Sequence, residues 1–259
     1  MSQYYKAKRT RNLFDPESKK PFSLSRTKVD VFLNCPRCFY LDRRLGVGRP
    51  PGFPFQLNSA VDHLLKKEFD RYRNEGSAHP LIKHYGLDLI PFAHEKMDEW
   101  RENFKGVTYL HKETNFLVTG AIDDVWRDEK GMLFVVDYKA TSKNSEVNLD
   151  APWQIGYKRQ MEMYQWLMRK NGFEVSDTGY FVYCNGTTDR EAFDAKLEFD
   201  VRILSYKGND SWVENTLREA RECLMRGSVP KASQNCDYCA YVKAVKRAES
   251  QEEELVEYI

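Results

Sequence analysis

Met132-Leu133-Phe134-Val135-Val136-Asp137-Tyr138-Lys139 decides how this chain is read. The apolar run predicts a buried strand. Because side chains alternate along a strand, Asp137 and Lys139 then leave it on the same face. Burying a charge without a partner is costly, so such a pair answers to a metal, a substrate or each other. Two more polar signatures flank it, Gly120-Ala121-Ile122-Asp123 before and Gln160-Met161-Glu162-Met163-Tyr164 after. The order of the three points first to a metal-dependent site.

Working outward, the pattern is mixed helix and strand without repeats or low-complexity tracts. Val107 to Leu110, Asn115 to Asp123 and Met132 to Tyr138 read as consecutive strands of a meander, with a turn at Asp128-Glu129-Lys130-Gly131. Upstream, Ser25 is placed to cap a helix through Asn34. Asn58 or Ser59 is placed to cap another through Arg71, with Val61, Leu64, Leu65 and Phe69 as its apolar stripe. The Gly- and Pro-rich stretch 45–57 reads as a loop packed over a surface or groove, and a third helix is expected over Ile90 to Phe104. Downstream, the spacing predicts a helix over Trp153 to Lys170 ended by Asn171-Gly172, strands over Thr178 to Cys184 and Leu197 to Leu204, and a helix over Asn209 to Arg226.

The 259 residues, 41% hydrophobic and 14% aromatic, suffice for a sizeable core. No apolar run approaches the roughly 20 residues that span a bilayer, and the N-terminal stretch carries no signal-type segment, so a soluble, cytoplasmic protein without a membrane partner is expected. Lys and Arg (40) nearly balance Asp and Glu (39), which excludes a polycation that coats nucleic acid; any such site must be local. The charge is uneven, with Lys6, Lys8, Arg9, Arg11, Lys19 and Lys20 near the start and Glu249, Glu252, Glu253, Glu254 and Glu257 near the end. These predict a basic, flexible arm over 1–22, either merely solvated or contacting phosphate, and an acidic tail over 248–259 around one domain at 23–247. There is no GxxxxGK[ST] loop, no GxGxxG after a strand and no GxSxG elbow, so a stand-alone module without a helicase motor is expected.

Carboxylates on neighbouring strands supply the hard oxygen ligands that magnesium or manganese requires, and Asp123 and Asp137 fit that need. A lysine two residues after the second ligand can hydrogen-bond an attacking water and stabilise charge on a phosphorane-like transition state, which gives Lys139 its role. An Asp and a Lys at a strand end also arise as an ordinary surface ion pair. The ordered set of three signatures is more specific: Gly120/Asp123, Asp137/Lys139 and Gln160/Tyr164 resemble the PD-(D/E)XK nuclease superfamily, in the branch of the RecB and AddB nuclease domains and the CRISPR adaptation exonucleases, over roughly Ser23 to Val242. Ile122 stands where the literal motif has proline, a variation this branch tolerates.

The resemblance implies an α/β, restriction-endonuclease-like fold with a central mixed β-sheet flanked by helices. It implies magnesium or manganese held by Asp123, Asp137 and the backbone carbonyl of Tyr138, with Lys139 catalytic and Gln160 and Tyr164 contacting substrate or positioning the metal site. A histidine on the helix before the sheet completes the site in that branch. His63 occupies the matching place, and imidazole suits manganese better than magnesium. Asp62 is the competing ligand, and Glu113 is a further candidate for supporting the site.

The cysteines form a second constellation. Cys35-Pro36-Arg37-Cys38 and Cys236-Asp237-Tyr238-Cys239 are two CxxC pairs, a pattern that builds four-thiolate metal sites, whereas Cys184 and Cys223 read as small buried residues. Relatives carry one cysteine early and three after the nuclease core, ligating a [4Fe-4S] cluster; here the distribution is two and two, with Cys38 standing in for the missing last ligand. Iron-sulfur is the first reading and zinc the second, with four coincidental thiols as the remaining one. Either metal would staple the N-terminal to the C-terminal segment. Phe39, Tyr40, Phe53, Phe55, Tyr238 and Tyr241 near that seam are either core or base-stacking platforms.

The reading is a Mg/Mn-dependent deoxyribonuclease, with the resemblance favouring an exonuclease on single-stranded DNA in repair, recombination or phage- or CRISPR-related processing, and a helicase or recombination partner. The alternatives are a catalytically silent, metal-stapled nucleic-acid-binding or assembly module of the same fold, and an unrelated zinc scaffold in which the triplets are coincidence.

Overall fold

The computed structural model describes residues 8–52 and 55–256, with side chains described to residue 251. In chain order the elements are β1 (Phe22–Ser25), α1 (Arg26–Asn34), α2 (Pro36–Arg44), α3 (Gln56–Glu75), α4 (Pro80–His84), β2 (Ile90–Pro91), α5 (Met97–Arg101), β3 (Val107–His111), β4 (Phe116–Gly120), β5 (Asp124–Arg127), β6 (Leu133–Thr141), α6 (Ile155–Lys170), β7 (Thr178–Gly186), β8 (Phe199–Lys207), α7 (Val213–Met225) and α8 (Asp237–Val256). They group into two compact units, residues 1–52, 111–116 and 214–259 in the first and 53–110 and 117–213 in the second.

The second unit is built on a five-stranded mixed sheet in the order β2-β5-β6-β7-β8, in which β6 and β7 run parallel and the other neighbours antiparallel. Parallel neighbours need a long crossover, and here residues 142–177, including α6, supply it. β6 is central, which explains why its run shows no polar alternation: Val135, Val136 and Asp137 are all fully buried. One face of the sheet carries Trp126, Val136, Tyr138, Tyr180 and Val182, packed with Leu65 and Phe69 of α3. On α6, the eight consecutive residues Met161 to Met168 are buried, so this helix has no solvent face along its middle.

In the first unit, Phe14, Phe22 and Phe116 form an edge-on aromatic cluster, and Pro36 opens α2 directly after Cys35. The segment expected as a flexible arm is instead tied down from Arg9 onward: Arg9 N donates to Gly46 O (2.8 Å), Phe14 N donates to Arg43 O (2.7 Å), and the Arg9 guanidinium meets Asp42 (3.0 Å). Lys6 lies outside the described residues. At the other end, the segment expected as an acidic tail continues α8 to Val256, because its Glu, Gln, Ala and Leu content is a strong helix former.

Several local expectations need correction. The helix expected over Ile90 to Phe104 is β2 followed by the short α5, because Ile90 and Pro91 pair with Arg127 and Trp126. The meander is interrupted: the strand expected over Asn115 to Asp123 ends at Gly120 as β4 in a different sheet, and the turn at Asp128 to Gly131 joins β6 instead to β5, a strand the pattern did not predict. The helix at 58–71 starts earlier, at Gln56, and Leu64 faces solvent at 62% exposure instead of joining the stripe. Strand β7 extends to Gly186, and the expected long helix begins at Val213.

Candidate active site and cysteine centre

Asp123 lies in the short link between β4 and β5, and Asp137 and Lys139 on the neighbouring strand β6. Asp137 is fully buried, and its carboxylate is paired with the Lys139 ammonium on the same strand face. Its other oxygen accepts a hydrogen bond from Gln160 Nε2 (2.7 Å), and the same amide reaches Tyr164 Oη (3.0 Å). Asp123 Oδ2 accepts the Tyr138 backbone N–H at 3.0 Å. Asp123, Asp137, Lys139, Gln160, Tyr164 and the Tyr138 backbone are thus brought into one connected constellation.

The spacing of the glycine signature has a packing cause. A Cβ at Gly120 would stand 2.8 Å from Tyr164 Cε1 and 2.9 Å from Leu167 Cδ1, so α6 lies directly on the β4 backbone. A glycine before Asp123 and a tyrosine four residues after Gln160 are therefore two halves of one contact. Gly106 closes the opposite side, where a Cβ would stand 2.5 Å from Gly120 O.

The charges are strongly perturbed. Burial pushes the Asp137 carboxyl up, and nearby Asp123 adds to this against the opposing pull of Lys139; the result is about 7. Burial also acts on Asp123, but Lys66 and Lys139 with the Tyr138 N–H outweigh it and hold this carboxyl below its usual range. For Lys139, burial favours the neutral amine, yet Asp137 and Asp123 prevail and raise its pKa. The ammonium also lies 4.6 Å from the Tyr157 ring centroid, a cation–π contact that fixes it over α6.

Residues that the sequence pattern did not single out hold this arrangement. Lys66 of α3 bridges Asp62 Oδ2 (2.9 Å) and Asp123 Oδ1 (3.1 Å). Behind the site, fully buried Asp124 accepts from Arg73, from Arg101 (3.2 Å) and from Tyr138 Oη (2.6 Å), while Arg101 Nε donates to Asp123 O (2.9 Å). Asp70 braces both guanidinium groups, at 3.0 Å from Arg73 and 2.8 Å from Arg101. The Asp123-Asp124 doublet was the available signal: adjacent acids in an otherwise apolar stretch send one carboxylate to each side of the backbone.

The structure separates the two candidates on α3. Asp62 turns toward Asp123, and burial together with Asp123 raises its pKa despite Lys66 and Lys139. His63 is exposed and, among the described residues, joins no cluster of three or more ligand-type side chains. Glu113 belongs to the first unit, where Arg218 pairs with it at 2.7 Å.

In the first unit the four cysteines converge. All their sulfurs lie within 4.8 Å of one another, with Cys35–Cys239 at 3.9 Å, Cys38–Cys236 at 3.5 Å and Cys38–Cys239 at 3.7 Å. Cys184 and Cys223 are buried and stand outside this group of four, Cys223 donating to Pro36 O at 3.8 Å. Phe39 and Tyr40 are core residues at 0% and 4% exposure, which removes them as stacking platforms, and Phe53 lies outside the described residues. Tyr238, Tyr241 and Phe55 are exposed.

Comparison with known proteins agrees with this geometry. The family model described as the PD-(D/E)XK nuclease superfamily matches residues 23–244. Among solved structures, the crystal structure of SSO0001 aligns with 83% of this chain and 82% of its own at 16% identity and a TM-score of 0.36, a likeness that carries no argument by itself. No curated protein matches. Among the described residues no helix is long and apolar enough to cross a membrane.

Proposed function

The chain belongs to the PD-(D/E)XK nuclease superfamily, and from that premise we propose that it hydrolyses phosphodiester bonds in DNA with magnesium or manganese as cofactor. The observation that carries the proposal is the joining of Asp123, Asp137, Lys139, Gln160 and Tyr164 around one strand end.

The donor set fits a hard divalent cation. Two carboxylates meet there, one of them fully buried with its pKa raised by desolvation first and by the neighbouring Asp123 second, and a bound cation would relieve both costs. Asp123, Asp137 and the Tyr138 carbonyl would hold the ion, and Asp62 is the contribution we assign to α3 in place of the solvent-facing His63. When bound, such an ion lowers the pKa of water and neutralises charge on the scissile phosphate. Gln160 orients the Asp137 carboxylate, and Tyr164 fixes Gln160 in turn. Lys139, held in its charged form, is a hydrogen-bond donor at neutral pH and not a base. Its role is to align the attacking water and to donate to the phosphoryl oxygens as charge builds on them.

Single-stranded DNA is the substrate we assign, with cleavage from an end leaving 5′-phosphate and 3′-hydroxyl products. The support is a groove in the first unit lined by Arg37, Arg49, Lys243, Lys246 and Arg247, with Tyr241 71% exposed beside them. Cations that track phosphates and rings that stack on bases suit a single strand. A helicase or recombination partner delivering that strand belongs to the same reading. The test is cleavage of end-labelled single-stranded and double-stranded DNA of one sequence, with each metal and with none. Metal-dependent shortening, faster on the single strand, is the expected result. DNA that is bound but left intact with either metal would establish a silent binding module instead.

A further inference from the structure

The two CxxC pairs are built alike. Cys35 is the N-cap of α2 and Cys38 its third residue; Cys236 immediately precedes α8 and Cys239 is its third residue. Two helix N-termini, each with its unpaired N–H groups and the positive end of its dipole, therefore address the same four sulfurs. Arg49 adds a full charge, its Nη2 lying 3.7 Å from Cys236 Sγ while its guanidinium stacks 4.6 Å from the Tyr238 ring centroid. Cys35, Cys38 and Cys236 are buried, and Val31 packs against them. The two helix ends and the guanidinium place positive charge around the four sulfurs, as a cluster of metal-bound thiolates requires.

The distances discriminate between occupants. A disulfide is excluded, since its sulfurs stand about 2.05 Å apart. Four sulfurs bound at about 2.3 Å to one tetrahedral ion stand about 3.8 Å from one another, by simple geometry. The observed separations are 3.5, 3.7 and 3.9 Å, and all three run from one CxxC pair to the other. In a [4Fe-4S] cluster each thiolate binds a different iron and leans outward from it, so the body of the cluster keeps the sulfurs well beyond single-ion spacing. A two-iron cluster likewise parts the sulfurs of one iron from those of the other. Four sulfurs within 4.8 Å of each other leave no space for either body.

We propose that the four cysteines hold one zinc ion in tetrahedral, all-thiolate coordination, and that this chain does not carry the [4Fe-4S] cluster its resemblance implies. With all four positions filled by sulfur the site is closed, as structural zinc sites are, and it ties the start of α2 to the start of α8 across some 200 residues of sequence.

The test is metal and sulfide content of the full-length chain, purified both in air and anaerobically from iron-supplemented cells. The expected result is one zinc per chain, iron below a tenth of that, no acid-labile sulfide and no visible absorption. Titration with an organomercurial should release that zinc as four thiols are consumed. Cys38→Ser and Cys236→Ser should lose it, and Cys184→Ala and Asp137→Ala should retain it; should the first two fail to fold, wild-type stoichiometry and mercurial release still decide. Four irons with sulfide and a brown chromophore would overturn the proposal, as would a single iron without sulfide or a metal-free chain in both preparations. Because nothing in this test involves DNA, its outcome is independent of the nuclease assignment.

Discussion

Gly120→Ala tests whether the signature glycine is there for packing. The added methyl would meet the Tyr164 ring at 2.8 and 3.1 Å and Leu167 Cδ1 at 2.9 Å. Tyr164 is 4% exposed and Leu167 fully buried, so neither can swing into solvent. Overpacking of this kind costs about 1–3 kcal/mol. The internal control is Gly156→Ala in the first turn of α6, where a Cβ meets nothing within 4 Å and the backbone is helical; there the substitution should stabilise by up to about 0.5 kcal/mol. Urea unfolding followed by tryptophan fluorescence reads both, with unchanged slopes and midpoints moving in opposite directions. The functional consequence is separate: a displaced Tyr164 withdraws from Gln160, whose amide then no longer fixes Asp137, so cleavage should fall further than stability does. Equal shifts of the same sign at the two glycines would refute the packing argument.

Three further outcomes follow from the same geometry. Asp124→Ala takes from Arg73 and Arg101 the fully buried carboxylate they share and leaves them the more exposed Asp70, and loss of one partner from a buried ionic network costs about 3–5 kcal/mol; a urea midpoint within error of wild type would show that the network is not structural. Glu162 accepts from Tyr206 Oη (2.6 Å), Trp212 Nε1 (2.7 Å) and Asn209 N (3.1 Å), so Glu162→Leu should lose about 1–3 kcal/mol in all in the same assay, the donors being only half-buried or exposed, and a neutral result would mean that water or other groups replace the carboxylate fully. Asp137 titrates near 7 in the fold against about 3.9 in an unfolded chain, so between these values the native state holds the extra proton. Its contribution therefore favours folding below about pH 4 and is lost as pH rises to 7. Divalent-metal affinity should move the opposite way, rising with pH through that window, and calorimetric titration showing pH-independent binding would contradict the raised carboxyl.

Those parts of the fold that sequence expresses locally were legible in it. The run from Met132 to Val136 marked the central strand, the turn at Asp128 to Gly131 marked its hairpin, and the methionine-rich stretch before Asn171 marked α6. Elements set by distant partners were not. Ile90-Pro91 is a strand because Trp126 and Arg127 lie beside it, and α2 was hidden inside a cysteine motif whose proline is also a helix-starting residue. At the site, the three signatures led directly to residues that the structure joins. Lys66, Arg73 and Arg101 were invisible for the opposite reason: they act on Asp123 and Asp124 from 22 to 57 positions away, a separation no local pattern records. His63 reads as a ligand by position, but helical geometry turns Asp62 to the site and His63 to solvent.

The central claim is that Asp137 and Lys139 work as a metal-dependent catalytic pair, and the most direct measurement is the cleavage rate of Asp137→Asn and Lys139→Met beside wild type at saturating single-stranded DNA and metal. Asparagine keeps the shape and the Gln160 hydrogen bond of Asp137 but not its charge, and methionine keeps the stem of Lys139. The account predicts folded, DNA-binding proteins whose cleavage falls by about 10²-fold or more, the scale on which positioned charge and proton handling act. Cleavage within a few-fold of wild type in either variant would contradict it.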